Sequence, residues 1–167
     1  MEITYIKQPP RKYTFSTLKI KKWIKNNTKK GYVLNLFCGE TILYHDQTKY
    51  IEIRVDTNKS MNADYLMDAF DFVIMAKKKH WKFSTIILDP PYSYRKSMEK
   101  YKGHTVSKFN KIINILPFIL KKNGNVITCG YHSVIMGKKR NFAIKNICLI
   151  SHGGAHHDTI ITNEIKL

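Results

Sequence analysis

The stretch Thr-Ile-Ile-Leu-Asp-Pro-Pro-Tyr at 85–92 places an acid, two prolines and an aromatic ring directly after four apolar or β-branched residues. Asp89 supplies a carboxylate that accepts hydrogen bonds, and Tyr92 supplies a flat ring against which a planar group can stack. Because proline fixes its own φ and restricts the preceding residue, Pro90 and Pro91 hold the backbone here in one conformation. A strand that stops in this way presents fixed polar and aromatic groups, which is typical of a binding or catalytic site.

Other residues with chemical potential also follow predicted strands. A Gly-containing segment at 37–41 comes after the apolar run 32–37, Asp56 ends the alternating run 50–56, and Asp64 follows a very short run at 61–63. The chain has only 12 acids among 167 residues. Their repeated position at the ends of predicted strands therefore indicates a common site.

Strands alternating with helices are expected to position these residues. The predicted strands are 32–37, 50–56, 61–63, 85–88, 126–129, 144–150 and 159–165, and the predicted helices are 18–26, 65–79 and 106–120. Pro117 should kink or end the last helix, and the segment 121–124 is predicted to stop it. In parallel sheets of this kind, ligands bind outside the carboxyl ends of the strands, where the strand order reverses.

The pattern predicts an α/β fold: a Rossmann-like, doubly wound, mostly parallel seven-stranded sheet with a C-terminal antiparallel hairpin. The length favours a single domain spanning 1–167, in which 1–30 form an N-terminal extension and a helix. No separate target-recognition domain is expected. If the protein recognises a long binding site on another molecule, it would then need to act as a homodimer or with a partner protein.

Composition indicates a polyanionic partner. The net charge is +17, from 29 Lys+Arg against 12 Asp+Glu, which favours nucleic acid over an anionic membrane. Three scattered cysteines without CxxC spacing indicate a reducing compartment and neither a disulfide framework nor structural zinc. The absence of a long apolar run and of a signal peptide predicts a soluble, cytoplasmic protein without a membrane anchor.

The order of these motifs resembles the class I S-adenosylmethionine-dependent methyltransferases, and Asp-Pro-Pro-Tyr resembles their amino-methyltransferases, particularly the adenine-N6 enzymes. The resemblance implies S-adenosylmethionine as the cofactor, with Asp56 on the ribose hydroxyls and Asp64 on the adenine amino group. The other cofactor-binding residues that it implies are Tyr13, Phe15, Phe37, Cys38, Gly39, Glu40, Thr41 and Tyr65. The family writes its first motif F-x-G-x-G, and here Glu40 and Thr41 follow Gly39 where the second glycine is expected.

The same resemblance implies how methyl transfer would proceed. The lone pair of an adenine exocyclic amino group is delocalised into the ring, which makes that nitrogen a poor nucleophile. Asp89 and the carbonyl of Pro90 would accept its two hydrogens and localise the lone pair for attack on the sulfonium methyl group. Pro91 would stiffen this turn, and Tyr92 would stack on a flipped base. No metal is required.

Several alternatives stay open at this stage. Adenine N6 in DNA is the favoured target, ahead of guanine N2 or adenine N6 in RNA. A non-catalytic nucleic-acid-binding protein on the same fold is the rival class, because the second glycine is missing. Cytosine-C5 methylation is disfavoured, since no cysteine follows a proline. The His-rich segment 151–158 lacks the spacing of a standard metal site and is interpreted as a hairpin connection.

Overall fold

The computed structural model describes residues 1–11, 14–45, 48–90, 108–154 and 156–167. Its strands are β1 Glu2–Lys7, β2 Gly31–Leu36, β3 Tyr50–Asp56, β4 Tyr65–Leu66, β5 Phe83–Leu88, β6 Leu120–Gly130, β7 Phe142–Ser151 and β8 Thr159–Lys166. Its helices are α1 Leu18–Asn27, α2 Ala69–Lys78 and α3 Phe109–Ile119. None of the helices in the described ranges is long and apolar enough to cross a membrane.

All eight strands belong to one sheet in the order β1-β7-β8-β6-β5-β2-β3-β4. Every pairing is parallel except those of β8, which runs antiparallel to both β6 and β7. The chain proceeds outward from β2 to β3 and β4 and then returns to β5 on the other side of β2. The strand order therefore reverses between β2 and β5. The predicted doubly wound, mostly parallel fold with a C-terminal antiparallel hairpin is confirmed.

The N-terminal residues form strand β1, where the sequence predicted only an N-terminal extension. β1 pairs in parallel with β7, from Glu2 opposite Asn146 to Lys7 opposite Ser151. Its side chains alternate between the two faces of the sheet, and the Trp23 Nε1 of α1 donates a hydrogen bond of 3.2 Å to Thr4 Oγ1. In the part of the chain that the structure describes, the sheet thus has eight strands, one more than the seven predicted.

The third predicted strand is displaced along the chain. Residues Lys59–Met61 form a 3₁₀ turn, and β4 consists of only Tyr65 and Leu66. Helix α2 begins at Ala69 and not at 65, because the Asp68 carboxylate accepts a hydrogen bond of 2.9 Å from the Phe70 amide and caps the helix. The acid at the end of β4 is consequently Asp68, whereas Asp64 precedes the strand.

The junction between α3 and β6 also differs from the prediction. Pro117 lies within α3, which continues to Ile119, and β6 begins at the next residue. The segment 121–124 is therefore part of a strand and not a helix stop. A register shift between Phe83 and Thr85 of β5 accommodates these extra residues in the pairing of β5 with β6.

The core lies on both faces of the sheet. Helices α2 and α3 cover one face, and α1 with the 3₁₀ turn Thr14–Ser16 covers the other. All six residues of β5 are buried, as expected of a central parallel strand covered on both sides. This packing brings the last residues of β2 and β5 side by side, with Leu36 opposite Leu88.

Candidate active site

The loop that follows β2 lies at the reversal of the strand order and has an unusual backbone. Phe37 and Gly39 both have positive φ, at 62° and 54°. The Gly39 amide donates to Asp56 Oδ2 at 3.0 Å, and the Gly39 carbonyl accepts from Arg54 Nη2 at 2.7 Å. Both backbone polar groups of Gly39 are thus held by side chains of β3.

Three charged residues of β3 share the face that contacts this loop. We call Glu52, Arg54 and Asp56 the β3 charge row; they alternate along the strand and are 5%, 6% and 3% exposed. Glu52 Oε2 accepts from the amides of Leu43 and Tyr44 at 2.9 and 3.0 Å. The β3 charge row therefore fixes the loop at both Gly39 and residues 43–44.

Arg54 also fixes the connection between β3 and β4. Its guanidinium donates from Nη1 to the Asn62 carbonyl at 2.7 Å and from Nη2 to the Met61 carbonyl at 3.1 Å. The Asp64 carboxylate accepts a hydrogen bond of 2.8 Å from the Arg54 amide. Asp64 is accordingly engaged with the backbone of β3 and does not line the pocket described next.

A shallow pocket, open to solvent, lies between the ends of β3 and β4. It is lined by Phe37, Val55, Asp56, Thr57, Met67, Asp68 and Ala69. The Met67 amide donates to the Asp56 carbonyl at 3.0 Å and joins the two sides of the pocket. The Lys108 ammonium group lies 3.6 Å from Asp68 Oδ1. Two carboxylates and an apolar wall therefore face one cavity.

Asp68 was missed by the sequence prediction, although a signal for it exists. An acid that immediately precedes an apolar helical run is a common N-cap, and Asp68 stands just before Ala69 and Phe70. Apolar residues recur at helical spacing from Leu66 onward, so the predicted helix began at 65 and included Asp68.

Asp89 lies at the end of β5, next to the loop after β2. Its amide approaches the Leu36 carbonyl at 3.5 Å, and its Oδ1 accepts a hydrogen bond of 3.1 Å from the Thr14 hydroxyl. Pro90 follows and is half-buried. Tyr13, Pro91 and Tyr92 lie outside the described residues. Thr14 is a second residue that the sequence reading missed, because a lone threonine carries no motif.

The segment that carries Thr14 is attached to the C-terminal hairpin. Thr17 Oγ1 donates to Gln8 Oε1 at 2.6 Å, and the Gln8 carbonyl lies 2.9 Å from His152 Nδ1. The other ring nitrogen of His152 lies 2.9 Å from Thr159 Oγ1. These contacts fix the position from which Thr14 reaches Asp89.

The remaining predicted cofactor residues occupy different environments. Phe15 is 2% exposed and packs in the core beside α1. Tyr65 packs edge-on against Phe72, with ring centroids 5.0 Å apart. Glu40 is exposed and Thr41 is half-buried, and neither lines the pocket between the ends of β3 and β4.

Cys38 is buried, and its environment opposes ionisation. Burial raises the pKa of the thiol to about 12; Arg54 lowers it, while the carboxylates of Asp56, Glu52 and Asp64 raise it. The thiol is therefore protonated at neutral pH, which does not suit a nucleophile.

No protein-family model matches this chain, and no curated protein matches its sequence. Solved structures do match. A provisionally assigned S-adenosylmethionine-dependent methyltransferase from Streptococcus mutans has a TM-score of 0.61 and 19% identity, over 87% of this chain and 48% of that one. TrmN from Thermus thermophilus has a TM-score of 0.59 and 12% identity, over 89% of this chain and 48% of that one.

The N-methyltransferase NodS from Bradyrhizobium japonicum, in complex with S-adenosyl-L-homocysteine, matches with a TM-score of 0.59 and 7% identity, over 89% of this chain and 86% of that one. The fold is a methyltransferase fold. This chain spans about half the length of the first two proteins, so the likeness concerns this fold alone.

Proposed function

We propose that this chain is an S-adenosylmethionine-dependent methyltransferase that acts on adenine N6 in DNA. The observation that carries the proposal is the pocket in which Asp56 and Asp68 face one cavity beside Gly39, with Asp89 at the end of the next strand but one. Methyl transfer to an amino group requires a cofactor pocket and, at the same edge of the sheet, a carboxylate that accepts the amino hydrogens.

The pocket residues fit the cofactor chemically. Asp56 accepts from the amides of Gly39 and Asn58 at 3.0 and 2.9 Å, one on each oxygen. A carboxylate has about four acceptor sites, so two remain for the vicinal hydroxyls of a ribose. In this proposal Asp68 replaces Asp64 as the acceptor for the adenine amino group of the cofactor, because Asp68 lines the pocket.

The missing second glycine is compatible with this proposal. Glycines in such a loop permit a close approach of the backbone, and here the loop reaches positive φ at Phe37 and Gly39. The β3 charge row holds this conformation through the two hydrogen bonds to Gly39. Glu40 and Thr41 are not among the residues with positive φ, so the backbone at these two positions does not require a glycine.

Asp89 would act on the acceptor base. S-adenosylmethionine, when bound, supplies a methyl group on a positively charged sulfur. The Asp89 carboxylate and the Pro90 carbonyl would accept the two amino hydrogens of adenine, which localises the nitrogen lone pair and stabilises the positive charge that develops on nitrogen. The Thr14 hydroxyl donates to Asp89 Oδ1 at 3.1 Å and would hold the carboxylate in position for the base. After transfer, the nitrogen loses one proton to Asp89 or to water.

Titration of the chain with S-adenosyl-L-homocysteine tests the cofactor assignment. We expect micromolar binding by the wild-type chain, weakened at least about tenfold in Asp56→Ala, which corresponds to a loss of ~1.4 kcal/mol. An Asp71→Ala variant serves as the control, because Asp71 is an exposed acid of α2 outside the pocket. Absence of binding by the wild-type chain would exclude the proposed activity.

A further inference from the structure

Positive charge is concentrated in the first quarter of the chain. Between Glu2 and Glu40 there are nine Lys or Arg residues and no acid. The whole chain has a net charge of +17, so this segment supplies about half of it. α1 lies at the centre of the segment.

One face of α1 presents this charge to solvent. Ile20, Trp23 and Ile24 are buried against the sheet. The exposed residues of the helix are Leu18, Lys19, Lys22, Lys25 and Asn26. At 100° per residue these five lie within an arc of about 120°, and Lys19 and Lys25 are ~9 Å apart along the axis. We call Lys19, Lys22 and Lys25 the α1 lysine face.

The N-terminal end of α1 follows a segment that contacts the proposed catalytic acid. Thr14, three residues before the N-cap Thr17 of α1, donates to Asp89. Because β2 follows α1 and ends at Leu36, next to Asp89, the helix runs away from that edge of the sheet. A polymer lying along α1 would therefore pass the site.

Lysines on the opposite face of the sheet are engaged differently. The Lys77 ammonium group lies 4.2 Å from the Phe118 ring centroid, and that of Lys79 lies 5.1 Å from the Trp81 ring centroid. On α1, the Lys25 ammonium group lies 5.7 Å from the Tyr44 ring centroid, whereas Lys19 and Lys22 form no ion pair or hydrogen bond with residues in the described ranges. Their charge is available to an external anion.

We propose that the α1 lysine face binds the sugar–phosphate backbone of double-stranded DNA and places the duplex against the Asp89 site. This inference rests on the proposed function and specifies its substrate. Lysines are suited to phosphate contact as point charges. Proteins that hold single strands add aromatic side chains on which the bases stack, and the exposed face of α1 has none. That difference favours a duplex whose bases stay stacked.

The test is the salt dependence of binding to a fluorescently labelled DNA duplex of mixed sequence, without cofactor. The test variant carries Lys19→Gln, Lys22→Gln and Lys25→Gln. The control variant carries Lys78→Gln, Lys111→Gln and Lys139→Gln, which removes the same charge from exposed positions on α2, α3 and the connection before β7. Both variants change only surface residues, and circular dichroism establishes that they are folded.

We expect the slope of log K against log salt to become shallower by about 2–3 in the test variant, since each phosphate contact contributes about 0.9. The control slope should change by less than about 1. Equal changes in the two variants, or an unchanged slope in the test variant, would overturn the proposal. A larger change in slope for binding to single-stranded DNA, or to an RNA hairpin of the same sequence, would also overturn it.

Titration with S-adenosyl-L-homocysteine on the same samples separates the two proposals. Retained cofactor binding by the test variant, together with the shallower slope, supports the α1 assignment. If the wild-type chain binds S-adenosyl-L-homocysteine while the salt dependence of duplex binding is the same in the test and control variants, only the α1 assignment fails. If the wild-type chain binds no cofactor, the proposed function fails whatever the duplex result.

Discussion

The Arg54→Met substitution tests whether the β3 charge row holds the loop after β2. Methionine keeps much of the apolar stem of arginine but removes the guanidinium group. Three hydrogen bonds, of 2.7, 2.7 and 3.1 Å to the carbonyls of Gly39, Asn62 and Met61, are lost. The three carbonyls then lose their charged donor.

The expected loss of stability is large for a single substitution. Leaving a buried acceptor without its donor costs about 1–3 kcal/mol for each group, three carbonyls are affected, and Arg54 is only 6% exposed. For a chain of this length that corresponds to a decrease in Tm on the order of 10 °C. In the folded fraction, the loss of the Gly39 hydrogen bond should also weaken S-adenosyl-L-homocysteine about tenfold, since a hydrogen bond to a charged group contributes roughly 1.5–3 kcal/mol.

Urea unfolding followed by circular dichroism measures the stability, and calorimetric titration below Tm measures the affinity. Lys59→Met is the matched control, because it removes one cation from an exposed position in the same connection. Arg54→Lys should lie between the wild-type chain and Arg54→Met, since one ammonium group cannot reach all three carbonyls. If Arg54→Met is as stable as Lys59→Met, the charge row does not support the fold. If stability falls but the affinity of the folded protein is unchanged, the row does not act on the cofactor loop.

Two further predictions concern residues that the sequence reading missed. Thr14→Val should lower kcat about tenfold and leave the KM for S-adenosylmethionine within about twofold, because the lost hydroxyl orients Asp89 and not the cofactor. Thr14→Ser should restore kcat, whereas Ser16→Ala, at an exposed position of the same 3₁₀ turn, should leave it nearly unchanged. A rise in KM without a fall in kcat would contradict this role. Asp68→Ser keeps a helix cap but shortens the side chain, and it should weaken S-adenosyl-L-homocysteine at least about tenfold in a calorimetric titration. Asp64→Ala should instead lower stability, because it removes the hydrogen bond from the Arg54 amide, and should leave the affinity for S-adenosyl-L-homocysteine unchanged. If Asp64→Ala weakens this affinity more than Asp68→Ser does, Asp64 and not Asp68 binds the cofactor's adenine amino group.

The central architecture was predictable because buried parallel strands carry a strong local signal. β3 was predicted with its observed bounds at 50–56, and β5 stands out as an apolar run ended by Asp89. The rule that ligands bind where the strand order reverses then predicted that Gly39, Asp56, Asp64 and Asp89 would follow strands at one edge of the sheet. Gly39, Asp56 and Asp89 do so, whereas Asp64 precedes β4.

The rest depended on contacts that a sequence does not display. β4 has two residues, too few for any periodicity, so its position and the acid after it were misread. The polar half of an alternating strand usually faces solvent, yet Glu52 and Arg54 are both buried and bind the loop after β2. The hydroxyl of Thr14 meets Asp89 across 75 residues of chain, a pairing set only by the packing of the N-terminal segment.

Methyl transfer followed by nucleoside analysis tests the central claim most directly. The chain is incubated with methyl-labelled S-adenosylmethionine and, separately, with duplex DNA, transfer RNA and ribosomal RNA, and the products are digested and identified. We expect labelled N6-methyladenine from DNA with the wild-type chain, and none with Asp89→Ala, although that variant should still bind S-adenosyl-L-homocysteine. Label found only in RNA, in a base other than adenine, or undiminished in Asp89→Ala would contradict the account.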